Sequence, residues 1–143
     1  AELVQANLAE IGIEVVIEII EWSTFLEKTA AGEHELFVLG WTTVTADADY
    51  GTYALFHSSQ HGSPGNRSFY TNPEVDALLD AGRSTTDLSK RLDIYKQVTE
   101  ILVEELPMVY LQHPDFVHGT NGVESGLFVN FSGTPFFQNV KLK

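Results

Sequence analysis

ELFVLGWTTVTADADY, residues 35–50, joins two textures at one tryptophan. Residues 35–41 are almost wholly apolar, as in a strand covered on both faces. Residues 42–50 are polar, β-branched and acidic, and read as a strand exit and loop. In open α/β sheets, ligands sit beyond the carboxyl ends of strands. Trp41 can stack on a ligand there. Thr42, Thr43 and Thr45 can exchange hydrogen bonds with it, and Asp47 or Asp49 can hold a cationic group. The same residues also fit a plainer reading, with Trp41 in the core, the threonines as strand formers and the aspartates shaping a turn.

Outward from this segment the chain alternates helix and strand signals. Residues 2–10 suit a helix stopped by Gly12. Ile13, Val15, Ile17 and Ile19 alternate with Glu14 and Glu18, predicting a strand with one buried face. Ser23 can cap a helix over 24–31 that Gly32 ends. Residues 57–67, HSSQHGSPGNR, form a turn-rich loop. Asn72 and Pro73 open a helix to about residue 81, with Gly82 following. Thr86 or Asp87 starts the longest helix, running to about residue 105 with Leu92, Tyr95, Val98, Ile101 and Leu102 as its apolar stripe, and Pro107 ends it. Residues 107–111 predict a short strand. From His113 onward glycine, asparagine and aromatics dominate, with a last strand over 140–142. The sum is a mixed α/β chain.

The 143 residues suffice for one domain with a core, and no apolar run is long enough to cross a bilayer. A net charge of −12 argues against nucleic acid, whose phosphates need a basic footprint, and against adhesion to an anionic membrane. With no cysteine there are no disulfides and no thiolate sites. The opening AELVQANLAEIG reads as the middle of a helix without a start signal. The expectation is therefore a fragment, with any export signal upstream.

Other constellations in the chain carry weaker signals. Asp47 and Asp49 on an extended chain point the same way about 7 Å apart, inside the roughly 6.5–9.5 Å of an inverting glycosidase pair. Their Asp-x-Asp spacing is also that of metal-dependent sugar transferases, so a carbohydrate-active enzyme is the alternative function. A calcium loop fails, because Gly51 and Ser58 fall where carboxylates are needed. His57 and His61 have the spacing of metal ligands on a helix but sit in loop sequence, and a surface pair is expected. No serine or glycine pattern points to nucleophilic catalysis or phosphate binding. Asn66 and Asn130 lie in glycosylation sequons. Asn66 and Arg67 are candidate ligand contacts, Arg67 as a clamp for a carboxylate or as a solvated charge.

Taken in order, the residues carry a resemblance that covers nearly the whole chain. They are Gln5 to Ile13 (QANLAEIGI), Glu21-Trp22 followed by Phe25-Leu26, Gly32-Glu33-His34, Gly40-Trp41, and Asp47 to Tyr50 before Leu55-Phe56. Asn66, Tyr70, Asn72 to Asp76, Arg91 to Tyr95 and Pro107 complete the set. The chain resembles the family 5 extracellular solute-binding proteins, the dipeptide-, oligopeptide-, glutathione- and nickel-binding components of ABC importers. Residues 45–50 are most similar to glutathione- and dipeptide-binding members.

The resemblance implies a partial lobe of a type II periplasmic-binding-protein-like fold, a mixed sheet flanked by helices. Residues 1–112 would be the incomplete second lobe, and 113–143 a segment returning to a missing first lobe. It implies a non-enzymatic protein without cofactor or metal that closes over a peptide-like ligand, its partners being that ligand and the permease subunits. The location would be the periplasm or the outer face of the membrane, with any lipid anchor outside this chain. A sensor or chaperone-like use of the fold is the other binding role. In peptide-binding members an aspartate three residues after the tryptophan anchors the peptide amino group. Here that position is Val44, which leaves Asp47 or Asp49 to substitute or the ligand to be held differently.

Overall fold

A computed structural model describes residues 1–63 and 65–143. Five α-helices fill the first three quarters of the chain. They are α1 (Glu2–Glu10), α2 (Trp22–Ala31), α3 (Ala48–Phe56), α4 (Pro73–Ser84) and α5 (Leu88–Glu105), with one 3-10 turn at Ser58–Gln60. Four short strands follow. β1 (Val123–Ser125) pairs antiparallel with β4 (Lys141–Leu142), and β2 (Phe128–Val129) with β3 (Pro135–Phe136). The fold class is α/β, as expected.

Side chains at the helix starts explain most boundaries. Asp47, Asn72 and Asp87 each cap their helix with a carboxylate or amide oxygen accepting first-turn N–H groups. The cap of α2 is Glu21 rather than the expected Ser23. Its carboxylate takes the N–H groups of Ser23 and Thr24, so the helix starts earlier. Bonds from Ser23, its hydroxyl first, hold the Glu21 carboxyl down at about 2. Gly32 closes α2 at φ 77, in the left-handed region that favours glycine.

The core is where α3, α4 and α5 meet. Phe56, Val75, Leu79, Tyr95, Val98 and Leu102 are buried there, with Tyr53, Tyr70, Ile101 and Met108 packed around them. Gly82 is the contact point of the last two helices. It lies inside α4, which runs past residue 81, and a Cβ on it would stand 3.0 Å from the Tyr95 ring. Leu92, expected in the apolar stripe of α5, is 63% exposed. Helix α1 buries nothing.

The expected strands over 13–19, 35–41 and 107–111 form neither helix nor ladder among the described residues. Ile13, Val16, Ile19, Leu36, Val38, Val109 and Leu111 are exposed. A strand exists only through its neighbour's hydrogen bonds, and within this chain these runs have no neighbour. Among the described residues no helix is long and apolar enough to cross a membrane.

Candidate functional site

The segment after Trp41 is a turn followed by a helix, where the sequence suggested only loop. The N–H of Ala46 donates to the carbonyl of Thr43, and Ala46 sits at φ 53, a strained conformation for alanine. This reversal aims Asp47 along the first turn of α3, where its carboxylate receives the N–H of Asp49 at 2.9 Å. Trp41 is half-buried and stacks on Tyr50 of α3, ring centres 5.3 Å apart. Thr43 turns inward over Gly51, where a Cβ would lie 2.8 Å from its hydroxyl. Thr42, Val44 and Thr45 are exposed. The result is an open wall with an aromatic floor and an uncharged rim. The indole N–H of Trp41 is enclosed and has no partner among the described residues.

Asp47 and Asp49 are both engaged within the chain. Arg91 grips Asp47 with two parallel bonds, Nη1 to Oδ2 and Nη2 to Oδ1, each 2.6 Å, while its Nε donates to the Gly82 carbonyl at 3.0 Å. Asp49 lies 3.2 Å from Arg83 Nε and accepts from the Tyr95 hydroxyl at 3.4 Å. The guanidinium of Arg83 lies 3.9 Å over the Tyr53 ring, and Tyr53 stacks on His57 with centres 4.3 Å apart. These contacts fasten the start of α3 to the facing ends of α4 and α5. Beside them opens a cleft of about 270 Å³ lined by Asp49, Tyr50, Tyr53, Ala54, Gln60 and Arg83.

The Arg91 bonds, followed by the Asp49 N–H, hold Asp47 at about 2 instead of 3.8. A carboxyl depressed on folding stabilises the fold above its unfolded value. That contribution is complete above pH 3.8 and fades as pH falls toward 2. Part of the Asp47 carboxylate faces water, so Arg91→Gln should cost about 1 kcal/mol at neutral pH. The gap in urea midpoint between parent and variant should narrow below pH about 3. A gap that stays constant down to strong acid would mean that charge pairing contributes nothing.

Two further expectations change. Asn66 and Arg67 do not face the wall. Asn66 is wholly buried, its Nδ2 donating to the carbonyls of His57 and Tyr70 and its Oδ1 accepting from the Tyr70 N–H. That burial also removes it as a glycan acceptor. Arg67 is buried too, with Nη1 donating to the Leu26 carbonyl at 2.8 Å and to the Thr29 hydroxyl at 3.0 Å, which pins the loop to α2. Asn130 spends its Oδ1 on Ser132 and Thr134 within its own turn. His57 and His61 do not converge. His57 packs on Tyr53, His61 bonds the Tyr70 carbonyl, and no metal-binding cluster exists among the described residues.

Comparison with known proteins gives this wall a context. Residues 1–63 match the family described as bacterial extracellular solute-binding proteins, family 5 Middle. The dipeptide-binding protein of Escherichia coli K12 is 27% identical over 143 residues, all of this chain and 27% of that protein. Probable di/tripeptide-binding protein 5 of Pseudomonas aeruginosa UCBPP-PA14 is 31% identical over 143 residues, again all of this chain and 27% of that protein. The crystal structure of a dipeptide-binding protein from Pseudoalteromonas sp. SM9913, in complex with Met-Leu, superposes with a TM-score of 0.80. It is 30% identical and covers 99% of this chain and 28% of its own. This chain belongs to the family 5 extracellular solute-binding proteins.

Family 5 solute-binding proteins bind their solutes and are not enzymes. The geometry agrees, since carboxylates clamped by arginines are poorly placed to move protons, and the carbohydrate-active alternative is set aside. The chain spans about a quarter of the length of these relatives, 27% of the two curated proteins. Sequence reasoning missed Tyr50, Tyr53 and Arg83 as site residues. The signal was present in α3, ADYGTYALF after a capping aspartate, which puts Tyr50 and Tyr53 three apart on one helix face.

Proposed function

We propose that this chain is part of the substrate-binding component of an ABC importer, capturing a peptide-like ligand such as a dipeptide, an oligopeptide or glutathione. Residues 1–112 form the ligand-binding lobe, and residues 113–143 return toward a first lobe contributed by other parts of a family-length protein. The ligand lies between lobes and favours the closed state by bridging them, and the closed protein delivers it to the permease. The protein works outside the cytoplasm, in the periplasm or, as a lipoprotein, on the outer face of the cell membrane.

The observation that carries this reading is the likeness, over 99% of the chain, to a structure holding Met-Leu. The wall of Trp41, Thr42, Thr43 and Thr45 supports it, because residues 35–42 offer main-chain groups free of any ladder among the described residues. An extended peptide can pair with such an edge, so affinity comes from the main chain and side chains can vary. Val44 is exposed and uncharged, Asp47 is held by Arg91 through both oxygens, and Asp49 meets Arg83 through one.

Native mass spectrometry of a family-length protein containing this chain is expected to find a co-purified peptide-sized ligand. Trp41→Ala should weaken peptide binding about tenfold or more by calorimetry. The 143-residue chain alone should bind far more weakly. Full affinity in the isolated chain, or indifference to Trp41→Ala, would rule out a shared cleft walled by this segment.

A further inference from the structure

We infer that the cleft beside α3 is a carboxylate-binding subsite centred on Arg83. The chain has three arginines, Arg67, Arg83 and Arg91. Arg67 is buried against α2, and Arg91 has both terminal nitrogens on Asp47. Arg83 is the exposed one, its side chain 48% accessible: its Nε meets Asp49, and neither Nη has an acceptor among the described residues. The guanidinium is fixed from two sides, by the Tyr53 ring 3.9 Å beneath it and by the Asp49 carboxylate at its Nε. Tyr53 is itself braced on His57. A held guanidinium with its paired Nη groups free matches the two oxygens of a carboxylate, and little rotamer freedom remains to be lost on binding.

The surroundings suit an organic acid rather than a bare inorganic anion. Tyr50 and Ala54 give the cleft apolar surface, and Gln60 supplies an amide. Asp49 also lines it, and its charge keeps affinity modest and selects against ligands that bring no compensating contact. Tyr50 is shared, lining the cleft on one side and stacking on Trp41 on the other. Wall and cleft are thus continuous through one ring. The subsite stands on the Arg83 geometry, whereas assigning it to the carboxyl end of a wall-bound ligand rests on the proposed function.

The test is NMR on the 143-residue chain, following the Arg83 side-chain N–H, the Tyr53 ring and the Trp41 indole N–H. The probes are N-acetyl-Ala-Ala with a free carboxylate, its carboxamide, and benzoate. The acid should move the Arg83 and Tyr53 signals saturably, with the carboxamide about tenfold weaker or worse. Arg83→Lys, which keeps the charge but loses the fork, should reduce the preference for acid over amide, and Arg83→Gln should abolish it. Acid and amide acting equally on the unmodified chain would overturn the subsite whatever Arg83 variants do to folding. So would an acid effect that survives Arg83→Gln. If the dipeptide acid also moves Trp41 and benzoate does not, the carboxylate is the end of a wall-bound ligand. If both acids move Arg83 and neither moves Trp41, the subsite holds for free carboxylates, and its assignment to the carboxyl end of a wall-bound ligand falls. An amide that moves Trp41 alone leaves the wall and removes the subsite.

Discussion

Leu79→Ala should lower the thermal midpoint of the helical unit by roughly 10–20 °C, corresponding to about 2–5 kcal/mol. Leu79 is fully buried on α4, among Phe56 of α3, Tyr95, Val98 and Leu102 of α5, and Val75 one turn away. Removing its branched end strips dispersion contacts from all three helices and leaves a void that Gly82, already in close contact with Tyr95, cannot close. The buried cluster has only six hydrophobic members, so little else can compensate. Leu92→Ala on the exposed flank of α5 is the control, expected within about 0.5 kcal/mol. Circular dichroism melts of the two variants decide the matter. Equal losses would mean that the packing of α4 on α5 is not what holds this unit together.

Asn66→Ala should cost about 3 kcal/mol, by a different mechanism. The amide of Asn66 reinforces a loop that its backbone also ties, the Gly62 N–H donating to the Asn66 carbonyl and the Asn66 N–H to the Gln60 carbonyl. Its Nδ2 joins the carbonyl at the end of α3, on His57, to that of Tyr70 before α4, and its Oδ1 takes the Tyr70 N–H and the Ser68 hydroxyl. Alanine removes the amide partner of the His57 carbonyl and of the Tyr70 N–H, while the Tyr70 carbonyl keeps His61, and water cannot reach a residue with 0% exposure unless the loop opens. Hydrogen exchange should therefore accelerate over residues 57–71 more than in α5. Because Gln60 lines the cleft, opening the loop should also weaken the carboxylate response proposed for Arg83. Uniform destabilisation with no local increase in exchange would remove Asn66 as the organiser of this loop.

Local chemistry made much of the fold legible. Asn72-Pro73 and Asp87 marked two helix starts because capping needs only a side chain and the next two amides. The apolar stripe of α5 was right at Tyr95, Val98 and Leu102 and wrong at Leu92. Periodicity gives a face, but the neighbouring helix decides how wide a strip of it is covered. Helix α3 was missed because its tyrosines and glycine carry weak helix propensity. What holds it is non-local: the Arg91 clamp on its capping aspartate, from 44 residues away.

The site divides in the same way. The pattern at Trp41 and the threonines admitted both a ligand wall and a plain core and turn, and the fold leaves Thr42 and Thr45 exposed beside a half-buried Trp41. The fates of the charged residues could not be read from the pattern. Arg67 and Arg83 look alike in sequence, yet one is buried against Thr29 and the other rests on Tyr53 with its outer edge free.

The sequence by itself determined the starts of α4 and α5, the α/β texture, the absence of thiol chemistry and the family resemblance. Each of these depends on residues close together or on simple composition. Only the tertiary structure decided which carboxylates are neutralised, which arginine remains available, and that three apolar runs lack a ladder here. Ion pairs and strand pairing join positions tens of residues apart, and no local pattern encodes their partners.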